Sequence, residues 1–538
     1  MLRANRRIDG ERSLSATQQD QDRQAYVEAS RPWRFALSAT VLLTGLRLFA
    51  LFATPLELYP DEAQYWLWSR TLDLGYFSKP PMIAWVIHLT TAIGGDSEPL
   101  VRIAAPLFHA VTGLTLFAVG RRLYGPWAGV LALLIYQLMP GVAVANVTMT
   151  TDTPLLCFLS IALLAYVDLP AAKRPLFTAA GLGAALGLAM LSKYAAIYAV
   201  IGIVLHLIVS GRARSAWRPA TALVAAGVFA VVIAPNLIWN ALNGFETVQH
   251  TAANADLGSG IGFHVVEFLR LVVEQIGVFG FGFLVLLAAY VLAVRKKLTD
   301  EDILLVCWTI PPLVVVGAQA ILTRANANWT AAAYIPAAVL VAGLVVRWWP
   351  SLWTRIGAGA ALVLQGLLVG GLILCIASPA IADRLGQSNA IKRMRGWKDV
   401  VEATVQRAQI EDANGGLSAV AVDNRFLFNA TAYYGRDYFN KPGAPPLTIW
   451  LRRDKAGNQA EARHPLTPAL GGRVLAVVED EVRRDADGVA KMAPRVALVQ
   501  GDFARSEQVG SFRAGLDRKR VRRAAFVVGE DYAPKPKP

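Results

Sequence analysis

Over roughly its first 380 residues the chain alternates long apolar blocks with short polar ones, on the scale of a bilayer rather than of a soluble core. The blocks lie near 33–53, 100–120, 126–148, 152–169, 176–192, 194–210, 219–240, 272–294, 302–322, 329–347 and 354–378. Each holds about 20 residues, the number that carries a helix across a hydrocarbon core about 30 Å thick. None shows the period-2 alternation of a strand, so helices are the expected spanning elements. After residue 378 the pattern changes. Short alternations, "LSAVAVD", "LTIWL", "RVLAVVE" and "RAAFVVGE", stand between Gly, Pro and charged residues, as in an α/β domain. The expected fold is mostly α: a polytopic membrane helical bundle of about 11–13 spans with a C-terminal extracytoplasmic α/β domain. Its expected divisions are a disordered cytoplasmic tail (1–30), a transmembrane domain (31–378), the α/β domain (379–530) and a disordered tail (531–538).

Composition agrees with the pattern. Of 538 residues, 55% are hydrophobic and 17% charged, which excludes an ordinary soluble enzyme. A net charge of +14 would suit nucleic acid, but the basic residues are placed otherwise. Arg31 and Arg34 precede the first span, and Arg121–Arg122, Lys173–Arg174, Arg212–Arg214 and Arg295–Lys297 fall in alternate short loops. That distribution follows the positive-inside rule: it sets the N-terminus in the cytoplasm, excludes a nucleic-acid partner and makes membrane lipids the partners of the basic loops. No small-residue cleavage site follows the first polar stretch, so no cleavable signal peptide is expected. Cys157, Cys307 and Cys375 lie in apolar blocks and give neither a disulfide framework nor a zinc spacing.

Counting spans from a cytoplasmic N-terminus gathers the unusual polar residues on the outer side. They are Asp61, Glu62 and Lys79; Asp152 in "TMTTDTP"; Lys193 and Tyr194 in "SKY"; His250 ending "WNALNGFETVQH"; and Arg324, Asn328 and Trp329 in "TRANANW". Charge near membrane depth is costly and is kept where it has a task, so one outward-facing polar cavity is expected.

The stretch "YPDEAQYWLWSRTLDLGYFSKPP" (59–81) is the most unusual of these. Its plainest explanation is an interfacial helix with Trp and Tyr at headgroup level and Asp61 and Glu62 complementing the helix dipole. Its order of features also resembles the first outer loop of the GT-C glycosyltransferases, in the branch of the protein O-mannosyltransferases and lipid A aminoarabinose transferase. The matching features are Asp61-Glu62, Tyr76-Phe77, Lys79 and Pro80-Pro81. The likeness continues through "RIAAPLFHAVTGLTLFAVGRRLYG", "TTDTPLL", "GLGAALGLAMLSKYAAIY" and "PNLIWN".

The resemblance implies sugar transfer from a polyprenyl phosphate donor to an envelope acceptor, such as lipid A, lipopolysaccharide or another glycan. The site would face away from the cytoplasm, in the inner membrane of a bacterium. Such transfer builds positive charge at the anomeric carbon and negative charge on the leaving phosphate, so it needs a carboxylate and cations. By analogy Asp61 is the general base. Glu62, grouped with it as a catalytic candidate, is better suited to holding the helix start or a neighbouring cation. Asp152 reads equally as an N-cap or as a second active-site carboxylate. Lys79, fixed by Pro80 and Pro81, is assigned to the donor phosphate, with Lys193, Tyr194 and Arg324 as further phosphate candidates. Lys193 also suits a helix end, and Arg324 with Trp329 an interfacial anchor. Tyr76, His250, Asn328 and Trp329 are the substrate-contact candidates.

In the aminoarabinose branch an acidic residue before the Lys helps hold a metal; here it is Ser78, so no metal is expected to be required. Asp61 and Asp152 leave room only for a magnesium or manganese ion. His250 and His264 suit polar surface positions. Competing functions are protein O-glycosylation, a lipid-linked-sugar transporter or flippase, and a membrane-anchored binding module. A transporter would show inverted repeats and polar mid-membrane breaks, which the sequence lacks.

Overall fold

The structure is a computed structural model that describes residues 30–254, 262–293 and 298–536. Residues 1–29 of the expected N-terminal tail, the basic residues 295–297 and the last two residues lie outside those ranges. Among the described residues eight helices are long and apolar enough to cross a membrane: Ser30–Ala53, Glu98–Tyr124, Asp152–Ala171, Pro175–Ser192, Pro219–Leu242, Asp300–Leu322, Ala327–Arg347 and Leu352–Ala377. Three shorter apolar helices, Met82–Gly94, Pro126–Gln137 and Tyr194–Val209, join them. The protein is a multi-pass membrane protein.

Position in the bundle follows burial. The apolar stretch of Ala327–Arg347 is 83% buried and forms the bundle centre, whereas those of Pro219–Leu242 and Leu352–Ala377 are 17% buried. Leu223, Val231 and Leu367 on these two helices are exposed, as lipid-facing residues are. The Pro175–Ser192 and Pro219–Leu242 helices meet through small residues. A Cβ on Gly183 would lie 2.2 Å from the Ala225 carbonyl oxygen, so only glycine permits that approach.

Two expected spans are broken. The 272–294 block divides at Gly280 (φ 78°) into Val265–Phe279 and Phe281–Ala293. The 126–148 block stops at Gln137 and resumes as Pro140–Ala145, with Pro140 starting the second piece. The Met82–Gly94 helix, absent from the expected spans, follows the Pro80-Pro81 turn.

The C-terminal region is a five-stranded mixed sheet ordered β2-β1-β3-β5-β4. Its strands are β1 (Ala419–Val422), β2 (Leu447–Ile449), β3 (Arg473–Arg483), β4 (Phe503–Gly515) and β5 (Arg520–Tyr532). β1 runs parallel to β2 and β3, and β5 antiparallel to β3 and β4. The alternation in "RVLAVVE" divides β3 between two cores: Leu475 and Val477 pack with Trp397, Val400 and Phe428, while Val474, Ala476 and Val478 pack with Met492, Val496 and Val499. The β4 edge strand was not expected because its outward residues are polar. β5 extends through Tyr532, two residues past the expected limit of the domain, and the Ala533 and Lys535 N–H groups bond to Asp502.

This domain is fastened to the first loop of the bundle. The Tyr433 ring meets Trp66 edge-on at 4.8 Å, the Leu58 N–H donates to the Tyr434 hydroxyl at 2.7 Å, and Lys398 pairs with Glu98 at 2.6 Å. The Pro60–Ser69 helix therefore differs from the interfacial helix of the simplest reading. Tyr65, Trp66 and Trp68 are buried between the bundle and the domain, where aromatic area stabilises a protein contact rather than a headgroup layer.

Candidate active site

The Pro60–Ser69 helix begins with proline at its first position and two acids in its first turn, a sequence made for a helix N-terminus. Successive residues on a helix point about 100° apart, and the acids diverge accordingly. Glu62 turns inward and is buried. It accepts from Arg102 Nε at 2.9 Å and Nη2 at 2.7 Å, from the Tyr59 N–H at 2.8 Å and from the Met149 N–H at 2.8 Å. One carboxylate thus holds the helix start, a buried arginine and the segment before Asp152. Asp61 turns the other way, into a cavity of about 340 Å³ that it shares with Gln64, Tyr65, Lys79, His250 and Arg425.

The loop carrying Lys79 is held by Tyr76. Its ring stacks on Trp68 at 4.7 Å, and its hydroxyl contacts the Trp68 carbonyl at 3.1 Å and accepts from the Asp73 N–H at 3.1 Å. The Tyr76 N–H closes the turn onto the Lys79 carbonyl, and the Thr247 hydroxyl donates to the Tyr76 carbonyl at 2.6 Å. Tyr76 is buried by these contacts. Among the described residues the Lys79 ammonium has no hydrogen-bonding or ion-pair partner. Burial, and then the Lys193 charge, hold it below the usual lysine range, while Asp61 and Asp152 oppose the shift. His250 meets Phe77 edge-on at 5.7 Å, and burial with the Lys79 and Arg425 charges pushes it down to about 4.

Asp152 is the first residue of its helix, and Thr151, not Asp152, occupies the N-cap. Its carboxylate pairs with Lys193 at 2.7 Å and accepts from Asn328 at 3.1 Å, joining three segments at one end of the bundle. Tyr194 donates to Asn236 at 2.9 Å and accepts from Asn240 at 3.0 Å; Asn236 in turn donates to the Leu74 carbonyl at 2.7 Å. Trp329 packs with Leu271, Val316 and Ala320. Arg324 is exposed, and no described residue pairs with it. The fold therefore places Asp61, Lys79 and His250 around one cavity, with the Asp152–Lys193 pair beside it. Tyr76 and Glu62 are drawn into supporting contacts.

Arg425 was not among the expected residues. It begins the Arg425–Tyr434 helix, directly after β1, and its guanidinium stands 3.9 Å from Asp61. A helix starting at the carboxyl end of a parallel strand is a common place for ligand-facing residues, and "VDNRF" carries that signal. Only the folded contact between the domains connects it to residue 61.

A divalent ion shared by Asp61 and Asp152 would have to displace Lys193 and Asn328 and accept Arg425 beside it. Among the described residues, no three His, Cys, Asp or Glu side chains gather as metal ligands do. Within the bundle, an apolar cavity of about 540 Å³ runs from Thr330 to Leu344, lined by Leu271, Val272, Leu313 and Val314. Its chemistry suits a hydrocarbon chain.

Residues 78–239 match the family model for dolichyl-phosphate-mannose-protein mannosyltransferases. A lipid A galacturonosyltransferase of Rhizobium johnstonii, RgtD, is 34% identical over 387 residues, 71% of this chain and 78% of the relative. The chain belongs to the GT-C glycosyltransferases. It is thus a polyprenyl-phosphate-dependent glycosyltransferase of the membrane. The fold agrees: the crystal structure of ArnT from Cupriavidus metallidurans bound to undecaprenyl phosphate aligns with a TM-score of 0.58 at 18% identity, covering 92% of this GT-C chain and 98% of ArnT. A shorter match, 36% over 90 residues, is to the undecaprenyl phosphate-alpha-4-amino-4-deoxy-L-arabinose arabinosyl transferase of Edwardsiella ictaluri; it covers 14% of this chain and 16% of that one.

Proposed function

We propose that this enzyme transfers a galacturonosyl residue from polyprenyl phosphate to lipid A on the non-cytoplasmic face of the inner membrane. The observation carrying the choice of sugar and acceptor is the likeness to RgtD across most of both chains. The cavity supplies the chemistry. Asp61 takes the proton of the acceptor hydroxyl as its oxygen bonds the anomeric carbon, and the carbon–phosphate oxygen bond breaks with its electron pair leaving on the phosphate. Lys79, half-buried and without a hydrogen-bonding or ion-pair partner among the described residues, receives that charge, and Arg324 is the second cation proposed for the phosphate. The isoprenoid tail would occupy the apolar cavity.

Glu62 and Arg102 position the helix that carries Asp61. Asp152 and Lys193 hold the surrounding loops together and keep a second cation beside Lys79. No step calls for a metal ion.

The orientation reading rests on where charge lies. The Asp152–Asp168 helix spans about 25 Å with the site at its start, and its far end pairs Asp168 with Arg122. Arg212–Asp300 and Arg347–Asp302 lie in the basic loops of that far side, which the positive-inside rule gives to the cytoplasm.

Mass spectrometry of lipid A from cells with and without the enzyme tests the proposal. Loss of one hexuronic acid residue per lipid A is expected. An unchanged lipid A profile beside a lost uronic acid on another envelope glycan would overturn the acceptor assignment.

A further inference from the structure

The cavity offers two cations, one from the first loop and one from the α/β domain. Asp61 contributes one negative charge, Lys79 and Arg425 one positive charge each, and burial keeps His250 neutral near pH 7. A polyprenyl phosphodiester bearing a neutral sugar would bring a single negative charge. A uronic acid would bring two.

Arg425 is built to meet the second. Its backbone is fixed at the first position of a ten-residue helix, where the Asn424 side chain caps the Phe426 and Leu427 N–H groups at 3.0 and 2.9 Å. The guanidinium carbon lies 4.7 Å from the centre of the Phe426 ring. Among the described residues its ion-pair partner is Asp61 at 3.9 Å, beyond hydrogen-bond length, and the side chain is 35% exposed. The donor edge therefore faces the cavity without an acceptor of its own.

We propose that Arg425 is the specificity-determining residue that grips the C6 carboxylate of the transferred uronic acid, an assignment that rests on the uronic acid donor reading above. A guanidinium fork binds a carboxylate through two parallel N–H bonds. Lys79 comes from the membrane-rim loop and Arg425 from the α/β domain, so the donor phosphate and the sugar carboxylate have separate cations.

The test uses the full chain in lipid nanodiscs and two donors, polyprenyl-phosphate galacturonate and polyprenyl-phosphate galactose, which differ only at C6. Wild type is expected to favour the galacturonate. Arg425→Met should lower kcat/KM for galacturonate roughly 10- to 100-fold and leave galactose transfer unchanged, with Arg425→Lys recovering part of the loss. If wild type favours galactose, the donor reading falls and this assignment falls with it. If wild type favours galacturonate but Arg425→Met, folded by thermal melting, lowers both donors equally, the role of Arg425 alone is overturned.

Discussion

Two clusters of acids and arginines lie in this molecule, and they are built on opposite principles. In the α/β domain the buried Asp423 and Glu479 are both matched. Asp423, buried at the end of β1, pairs with Arg452 at 2.9 Å and Arg495 at 3.0 Å and accepts from the Glu479 N–H at 3.0 Å. Glu479 pairs with Arg522 at 2.5 Å, and that guanidinium lies 3.5 Å from the centre of the Trp397 ring. At the membrane rim, Glu62 and Arg102 are matched in the same way. Beside them, Asp61, Lys79 and Arg425 are not: the nearest pair is 3.9 Å apart, and Lys79 has no partner among the described residues. Saturated charge fixes a shape, whereas charge held close but unpaired is available to a ligand.

The contrast is broken most strongly at Asp61. Asp61→Asn should lower transfer by about 10²- to 10⁴-fold, the usual range for loss of a general base, with melting temperature and donor affinity unchanged. Full transfer by that variant would remove Asp61 from the chemistry. Next come the saturated pairs. Arg102→Met or Arg522→Met leaves a buried carboxylate without its charge partner, a loss of about 3–5 kcal/mol, and should lower the melting temperature of the full chain. Lys79→Ala should leave melting unchanged and weaken donor binding about 10- to 100-fold, as expected for a lost charge-assisted contact.

A pH titration sharpens the same point. On the proposed reading it is the protonated Lys79 that binds phosphate, and its pKa lies below the usual lysine range. Donor affinity is therefore full at lower pH and falls as pH rises through that depressed value. Lys79→Arg should move the alkaline limb upward. The smallest effect is expected from chelation: EDTA should leave transfer unchanged, and lost activity restored by magnesium or manganese would place an ion at Asp61 and Asp152.

Hydropathy made the bundle legible because crossing a bilayer constrains every residue of a span. It was less informative where a local backbone device intervened. Gly280 splits one apolar block without changing its hydropathy, and β4 presents polar residues because it is an edge strand. At the site, Asp61, Lys79 and His250 were visible as charge or polarity out of place between apolar blocks. The division of labour between Asp61 and Glu62 was less visible, because it depends on which side of one helix Arg102 occupies. Arg425 was hidden for another reason: 364 positions separate it from Asp61, and the packing of the α/β domain, Tyr433 and Tyr434 included, against the first loop brings them together.

A structure of the full chain in nanodiscs with a non-transferable polyprenyl-phosphate sugar would test the central claim most directly. The account predicts the phosphate within about 3 Å of Lys79 Nζ, with the anomeric carbon facing Asp61. A phosphate seated elsewhere, with Lys79 and Asp61 touching no part of the donor, would contradict it.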